Sequence, residues 1–330
     1  MNKRIRTAII GGGKNGFVRG FLTHSHPDFE LVCVIDQKSA QKKVLSRILK
    51  VPGYTTIVEA IDKAPVDLLI FCTRAVTTQQ NIDVGLAHHT HIFLSQPDCC
   101  DYQQSHIMLE RAQKSNIQFL FGHNLQFRPT FTTMQDVLTE DYIGNIGFLR
   151  AALHIRSLIE ISSNQTPLTA TQLIRSNSKH IFPLLSLILT SQEQISTLRA
   201  QPTVNYRKNS VNAIATVCRF KNGINGVIDF SWLYPQFPQR ADYSLIFSGV
   251  DGMAIAEPKH LSLLFQKRNN RYNAGQHSFH ATEIAIFTEN KNQNWGMYKQ
   301  MDIISKAINE GLDTELSWAK AHRVIEFMEG

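Results

Sequence analysis

Over the first 122 residues the chain alternates between two hydrophobic periods. Short apolar runs at Thr7–Ile10, Leu31–Ile35, Val66–Phe71, Thr90–Leu94 and Ile117–Phe121 are rich in β-branched and aromatic residues. Between them lie Gly16–Thr23, Ala40–Leu49, Thr77–Ala87 and Tyr102–Lys114, where apolar residues recur at helical spacing. The runs are apolar throughout rather than alternating, which predicts strands buried on both faces. Strand alternating with helix predicts a parallel sheet with helices on either side.

Near Pro129 the rhythm changes. A helix is predicted over Phe131–Leu138, followed by the turn Ile143–Gly147 and a long strand, Phe148–Ile155. A helical stretch spans Thr171–Leu189, and strands then dominate: Asn212–Phe220, Val227–Trp232, Tyr243–Phe247, Met253–Ala256 and Leu261–Phe265. Hairpin-linked strands of this kind predict an antiparallel or mixed sheet. The Asn-rich, basic segment Gln266–Ser278 reads as a mobile loop, and helices at Trp295–Asn309 and Glu315–Met328 close the chain. The expected class is α/β: a dinucleotide-binding Rossmann domain over residues 1–122 and an α+β domain with an open, mainly antiparallel sheet over 123–330. The final helices are free to pack back on the first domain.

Composition narrows the function. At 330 residues with 43% hydrophobic content, the chain can bury two ordinary cores. No run approaches the length of a membrane span, and the short apolar start breaks into glycines too early for a signal peptide. The five cysteines are odd in number and fit no metal-ligand spacing, so no metal is expected and a reducing cytoplasm is the simplest setting. A net charge of +7 is spread over separate clusters, which argues against a nucleic-acid partner.

The first strand ends in Gly11-Gly12-Gly13-Lys14-Asn15-Gly16, a match to G-x-G-x-x-G. Gly11 permits a tight turn, Gly13 lets backbone approach a pyrophosphate, and Gly16 lets the following helix pack on the sheet. That helix presents free N–H groups and a partial positive charge to the phosphates, with Lys14 and Asn15 as further contacts, largely through backbone. Asp36 ends the second strand twenty residues after Gly16, the interval at which a carboxylate receives the ribose hydroxyls of adenosine. A carboxylate there favours NAD; Lys38, Lys42 and Lys43 nearby keep NADP open.

Taken with "VDLLIFCT" (Val66–Thr73), "GLAHHTHIFLSQP" (Gly85–Pro97), "GHNLQFRP" (Gly122–Pro129) and "IGNIG" (Ile143–Gly147), the cradle resembles that of the Gfo/Idh/MocA oxidoreductases. The resemblance implies a Rossmann domain followed by an α/β domain whose sheet binds a small-molecule substrate on one face and builds a homo-oligomer through the other. It also implies cofactor contacts from Thr73, Arg74, Gln96 and Pro97 and substrate contacts from Asn124, Ser176 and His180.

The departures bear on chemistry. The family's Glu-Lys-Pro corner falls on Ser95-Gln96-Pro97, so the lysine that binds nicotinamide ribose and helps proton transfer is Gln96. Its Thr-Pro turn becomes Thr73-Arg74, its helical Asp-x-x-x-His pair falls on Ser176 and His180, and a second common Asp is Pro183. Gln96 can position a cofactor or substrate oxygen but cannot act as a base. His180 can exchange a proton near neutral pH, or be a helix histidine satisfied by a carbonyl among Ile181, Phe182, Leu184 and Leu185. Arg74 is either a surface residue or an anion binder, and Asn124 and Arg128 either bind substrate or brace the domain junction. Three functions follow from the resemblance: an oxidoreductase on a sugar derivative, imine or keto compound; a non-catalytic dinucleotide-binding regulator; or a glycosidase using transient NAD oxidation, which lacks a nameable base beyond His180.

Overall fold

The computed structural model describes residues 4–72, 79–95, 102–122, 125–154, 195–205, 210–220, 223–231, 242–287, 296–314, 316–317 and 319. The apolar runs of the N-terminal part pair in parallel. Strands β1 (Ile5–Ile10), β2 (Phe29–Ile35), β3 (Gly53–Tyr54), β4 (Leu68–Phe71), β5 (His91–Leu94) and β6 (Phe119–Phe121) form one sheet in the order β3-β2-β1-β4-β5-β6. The order reverses between β1 and β4, where a doubly wound sheet opens a crevice at its carboxyl ends.

Both faces of this sheet are buried, as its uninterrupted apolar runs predict. Alternate residues Ala8, Ile10, Cys33, Ile35, Leu69, Phe71, Ile92, Leu94, Phe119 and Phe121 build one core with α3 (Ile57–Lys63), α4 (Gln79–Ala87) and α5 (Tyr102–Lys114). The intervening residues Ile9, Val34, Leu68, Ile70, Phe93 and Leu120 are buried too. Helices α1 (Lys14–Ser25) and α2 (Ser39–Leu49) pack against one another and against β2. Neither β3 nor α3 is expected from periodicity. A two-residue strand has no period, but Thr56 accepts a hydrogen bond from the Glu59 N–H, an N-cap that starts α3.

The chain divides into two compact units, Met1–Asn124 with Asn294–Gly330, and Leu125–Gln293. In the second unit α6 (Pro129–Thr139) precedes β7 (Ile146–His154). An eight-stranded sheet is completed by β8 (Ile195–Asn205), β9 (Ser210–Phe220), β10 (Asn225–Ser231), β11 (Asp242–Gly249), β12 (Gly252–Ala256), β13 (His260–Phe265) and β14 (Gly275–His280). It is mixed: β7 and β10 run parallel, and every other pair is antiparallel. Helices α6 and α7 (Ala281–Phe287) pack on each other, and α6 also packs on β12 and β13. Phe131, Met134 and Val137 are buried, as are Leu149, Leu245, Phe247, Ala254 and Leu263 of the sheet.

The expectation of a mobile loop over Gln266–Ser278 is corrected here. Gly275–His280 is a strand that pairs with β13, and Tyr272 stacks on Phe265 at 5.1 Å. Asn269 Oδ1 accepts from the N–H groups of Arg271 and Tyr272 and closes the turn before it. Polar residues around two inward positions, His277 and Phe279, hid the alternation. The helix expected over Thr171–Leu189 lies outside the described residues, as does nearly all of Glu315–Met328. The helix expected over Trp295–Asn309 is α8 (Met297–Glu310), which packs on α1.

Candidate dinucleotide site

β1 ends at Ile10 and the chain turns at once. Gly11 has φ +102°, a region that suits glycine, and its N–H donates to the Ile35 carbonyl at 2.8 Å. Gly13 is the N-cap of α1, and the Phe17 N–H returns to its carbonyl at 2.9 Å. A Cβ added at Gly16 would lie 1.7 Å from the Gly11 carbonyl oxygen, so the helix can sit on the turn only with glycine there. A Cβ added at Gly13 would meet nothing within 4 Å. Gly11 and Gly16 therefore serve the fold, while Gly13 leaves open space on its outer side.

The first turn of α1 carries no acidic residue and its cap no side-chain hydrogen bond, so its N-terminal N–H groups keep their electrostatic pull on an anion. Lys14 is exposed in that turn. Asp36, 8% exposed just past β2, accepts from the Gly12 N–H at 2.5 Å and from the Lys38 N–H at 2.7 Å. Each oxygen is held by backbone, which aims the carboxylate and leaves further lone pairs for hydroxyl donors. Of the nearby lysines, Lys42 donates from Nζ to Thr55 Oγ1 at 2.6 Å.

These features fit a nicotinamide dinucleotide: a glycine with room for a diphosphate beside it, a helix N-terminus without a side-chain cap and an oriented carboxylate for ribose hydroxyls. The cofactor, when bound, supplies the hydride chemistry; the chain's residues bind and orient it.

The Asn15 side chain is engaged within the protein. Its Nδ2 donates to Ser95 Oγ at 2.8 Å and to the Cys72 carbonyl at 3.3 Å. The side chain turns toward the ends of β4 and β5, leaving only its backbone for a phosphate. On the same helix Arg19 is fully buried, with its guanidinium 5.0 Å over the Phe93 ring and Nη2 donating to Gln300 Oε1 of α8. Burial pulls its pKa down to about 10, and pushes that of the neighbouring Cys72 thiol up to about 12. Cys72 is thus no nucleophile at neutral pH.

The structure therefore brings together Gly11, Gly13, Lys14, Asn15, Gly16 and Asp36. Thr73, Arg74, Gln96, Pro97, Asn124, Ser176 and His180 lie outside the described residues. Sequence reading missed Ser95 as a partner of Asn15, and the burial of Arg19. The one available signal for the latter was its place among Gly16, Gly20 and Thr23 on one helical face. Among the described residues no group of His, Cys, Asp and Glu could hold a metal ion.

Comparison with known proteins agrees with this geometry. Residues 5–123 match the model of an oxidoreductase family with an NAD-binding Rossmann fold, Gfo/Idh/MocA. No curated protein matches the chain by sequence. Similar solved structures include GenD2 from gentamicin A biosynthesis in complex with NAD, 17% identical, with TM-score 0.76 over 100% of this chain and 93% of that one. The WlbA dehydrogenase from Chromobacterium violaceum, in complex with NADH and UDP-GlcNAcA, is 13% identical, with TM-score 0.78 over 99% and 92%. Levoglucosan dehydrogenase in complex with NADH and L-sorbose is 14% identical, with TM-score 0.77 over 99% and 95%. At such identities these structures speak for the fold. The match to the Gfo/Idh/MocA oxidoreductase family is thus carried by the NAD-binding Rossmann domain of residues 5–123, and the remainder of the chain is similar to these structures in fold.

Proposed function

We propose that the protein is an NAD-dependent oxidoreductase acting on a small molecule, a sugar derivative, imine or keto compound, through a divergent active site. The observation that carries this reading is the cradle: Gly13 open on its outer side, beside an Asp36 carboxylate fixed by two backbone N–H groups. A carboxylate so placed receives the vicinal hydroxyls of an adenosine ribose and repels a 2′-phosphate. Sugar-like compounds bound in similar structures (UDP-GlcNAcA, L-sorbose) support a polyhydroxylated substrate. Gln96 in place of the family's lysine favours substrates that carry their own proton-accepting atom, with His180 as the available acid or base. Titration calorimetry with NAD and NADP, followed by a screen of nicotinamide absorbance against sugars, imines and keto compounds, tests it. Tight NAD binding with turnover on one class is expected; no heat with either coenzyme would overturn it.

Gln96, Ser176 and Pro183 together support a second reading, a dinucleotide-binding regulator without catalysis. Activity gained only in Gln96→Lys with Ser176→Asp would favour it, and wild-type turnover abolished by His180→Ala would refute it. The free, buried thiols of Cys33 and Cys72 accord with a cytoplasmic setting. Among the described residues no helix is long and apolar enough to cross a membrane. The open face of the second sheet is the seat we assign to another copy of the chain.

A further inference from the structure

In a doubly wound sheet one mononucleotide half rests on the strands to each side of the switch point. The main-chain ladder closes at one level there: Cys72 N–H donates to Ile10 O at 2.8 Å, Ser95 N–H to Phe71 O at 2.9 Å, and Gly122 N–H to Leu94 O at 2.7 Å. Among the described residues, the strand ends are also tied by a side chain. Asn15, from the first turn of α1, donates one amide hydrogen to the Cys72 carbonyl and the other to Ser95 Oγ. A carbonyl only accepts, so the nitrogen must face it, and both amide hydrogens are then committed to protein. Ser95 is 7% exposed and Cys72 5%.

We propose that Asn15 is a positioning residue for the nicotinamide half of the cofactor, joining the helix that receives the diphosphate to the carboxyl ends of β4 and β5. It acts through Ser95, whose chain neighbour is Gln96. One element is thereby shared between the two halves: its backbone addresses the diphosphate, and its side chain holds Ser95 at the end of β5. The inference rests on the dinucleotide-binding reading above.

The test is equilibrium binding of ADP and of NADH, by calorimetry and nicotinamide fluorescence, to the full chain and to Asn15→Ala, Ser95→Ala and the double variant. ADP senses the cradle and Asp36; NADH adds the nicotinamide half. Each single substitution is expected to weaken NADH about 3- to 10-fold, the scale of a lost hydrogen bond. ADP affinity should stay within about twofold, and enhancement of bound NADH fluorescence should fall. The double variant should bind no worse than Asn15→Ala, which already removes the contact to Ser95 along with that to Cys72. Equal weakening of ADP and NADH would overturn the proposal by assigning Asn15 to the diphosphate or to folding, as would unchanged NADH affinity. Should Asn15→Ala not fold, Ser95→Ala, which keeps the Cys72 contact, decides alone. Wild-type protein that binds neither ADP nor NADH overturns the reading beneath, an outcome separate from the pattern among variants.

Discussion

Of the four glycines in residues 11–16, Gly13 and Gly16 answer to different demands, and substitution separates them. Gly16→Ala places a Cβ 1.7 Å from a carbonyl on the Gly11 turn, and no side-chain rotation relieves a clash between two backbones. It is expected to lower stability by about 1–3 kcal/mol or more, read by denaturant titration. Gly13→Ala meets only open space and keeps an extended backbone, so its cost should be under about 1 kcal/mol, as a poorer cap. Dinucleotide affinity should nevertheless fall about tenfold or more in Gly13→Ala, because the added methyl occupies the side the diphosphate approaches. A Gly13→Ala protein that melts early yet binds normally would reverse those roles. Asp36→Ala removes the carboxylate we propose for the ribose hydroxyls together with the anchor of the Gly12 and Lys38 N–H groups. NAD affinity should drop about tenfold, the scale of a charge-assisted hydrogen bond, and the preference for NAD over NADP should narrow. The glycines and Asp36 were legible in sequence because their demands are local and set by spacing. The Asn15–Ser95 contact spans 80 residues and joins two ordinary polar side chains, so no spacing announces it.

At the scale of elements, period and length decide what can be read in advance. Each expected strand of the first sheet recurs within a few residues of its structural span, because burial on both faces writes an unbroken apolar run. β14 was missed for the opposite reason, being an edge strand with only two inward residues. His91, at the start of β5, shows how one element's position couples to pH. Its Nδ1 accepts from the Gln118 N–H at 3.0 Å, and burial holds its pKa below the ordinary 6.5, against the weaker upward pull of Asp67. The folded state thus favours neutral imidazole. As pH falls through 6.5 the unfolded chain takes up the proton first, so stability is lost on acidification and is fully present above that pH. Urea denaturation at pH 7 and pH 5 should show this acid loss. In His91→Asn, which offers an uncharged acceptor, the loss should be smaller; an identical slope would exonerate His91.

For the whole molecule the open question is what covers the second sheet. Its residues facing α6 are apolar and buried, yet the opposite face also carries large apolar side chains. Phe148 is 40% exposed, Leu264 42% and Val217 57%. Register joins them to half-buried neighbours: Leu264 pairs with Met253, Ile255 with Ile246, and Val217 with Val227. The charge in their midst is compensated, since Arg150 Nε meets Asp229 Oδ2 at 3.0 Å across adjacent strands. A contiguous face of that kind is more apolar than a solvated sheet surface requires, and a second copy of the same face would bury it symmetrically. Sedimentation of the wild-type chain at micromolar concentration should therefore show a dimer or larger species. Val217→Glu and Leu264→Glu each set like charges against one another across such an interface, and should shift the population toward monomer. NADH affinity should hold within about twofold, because the cradle belongs to the other unit. A wild-type chain that sediments as monomer at every concentration would show that this face meets solvent, and would remove the assembly from the account while leaving the cradle intact.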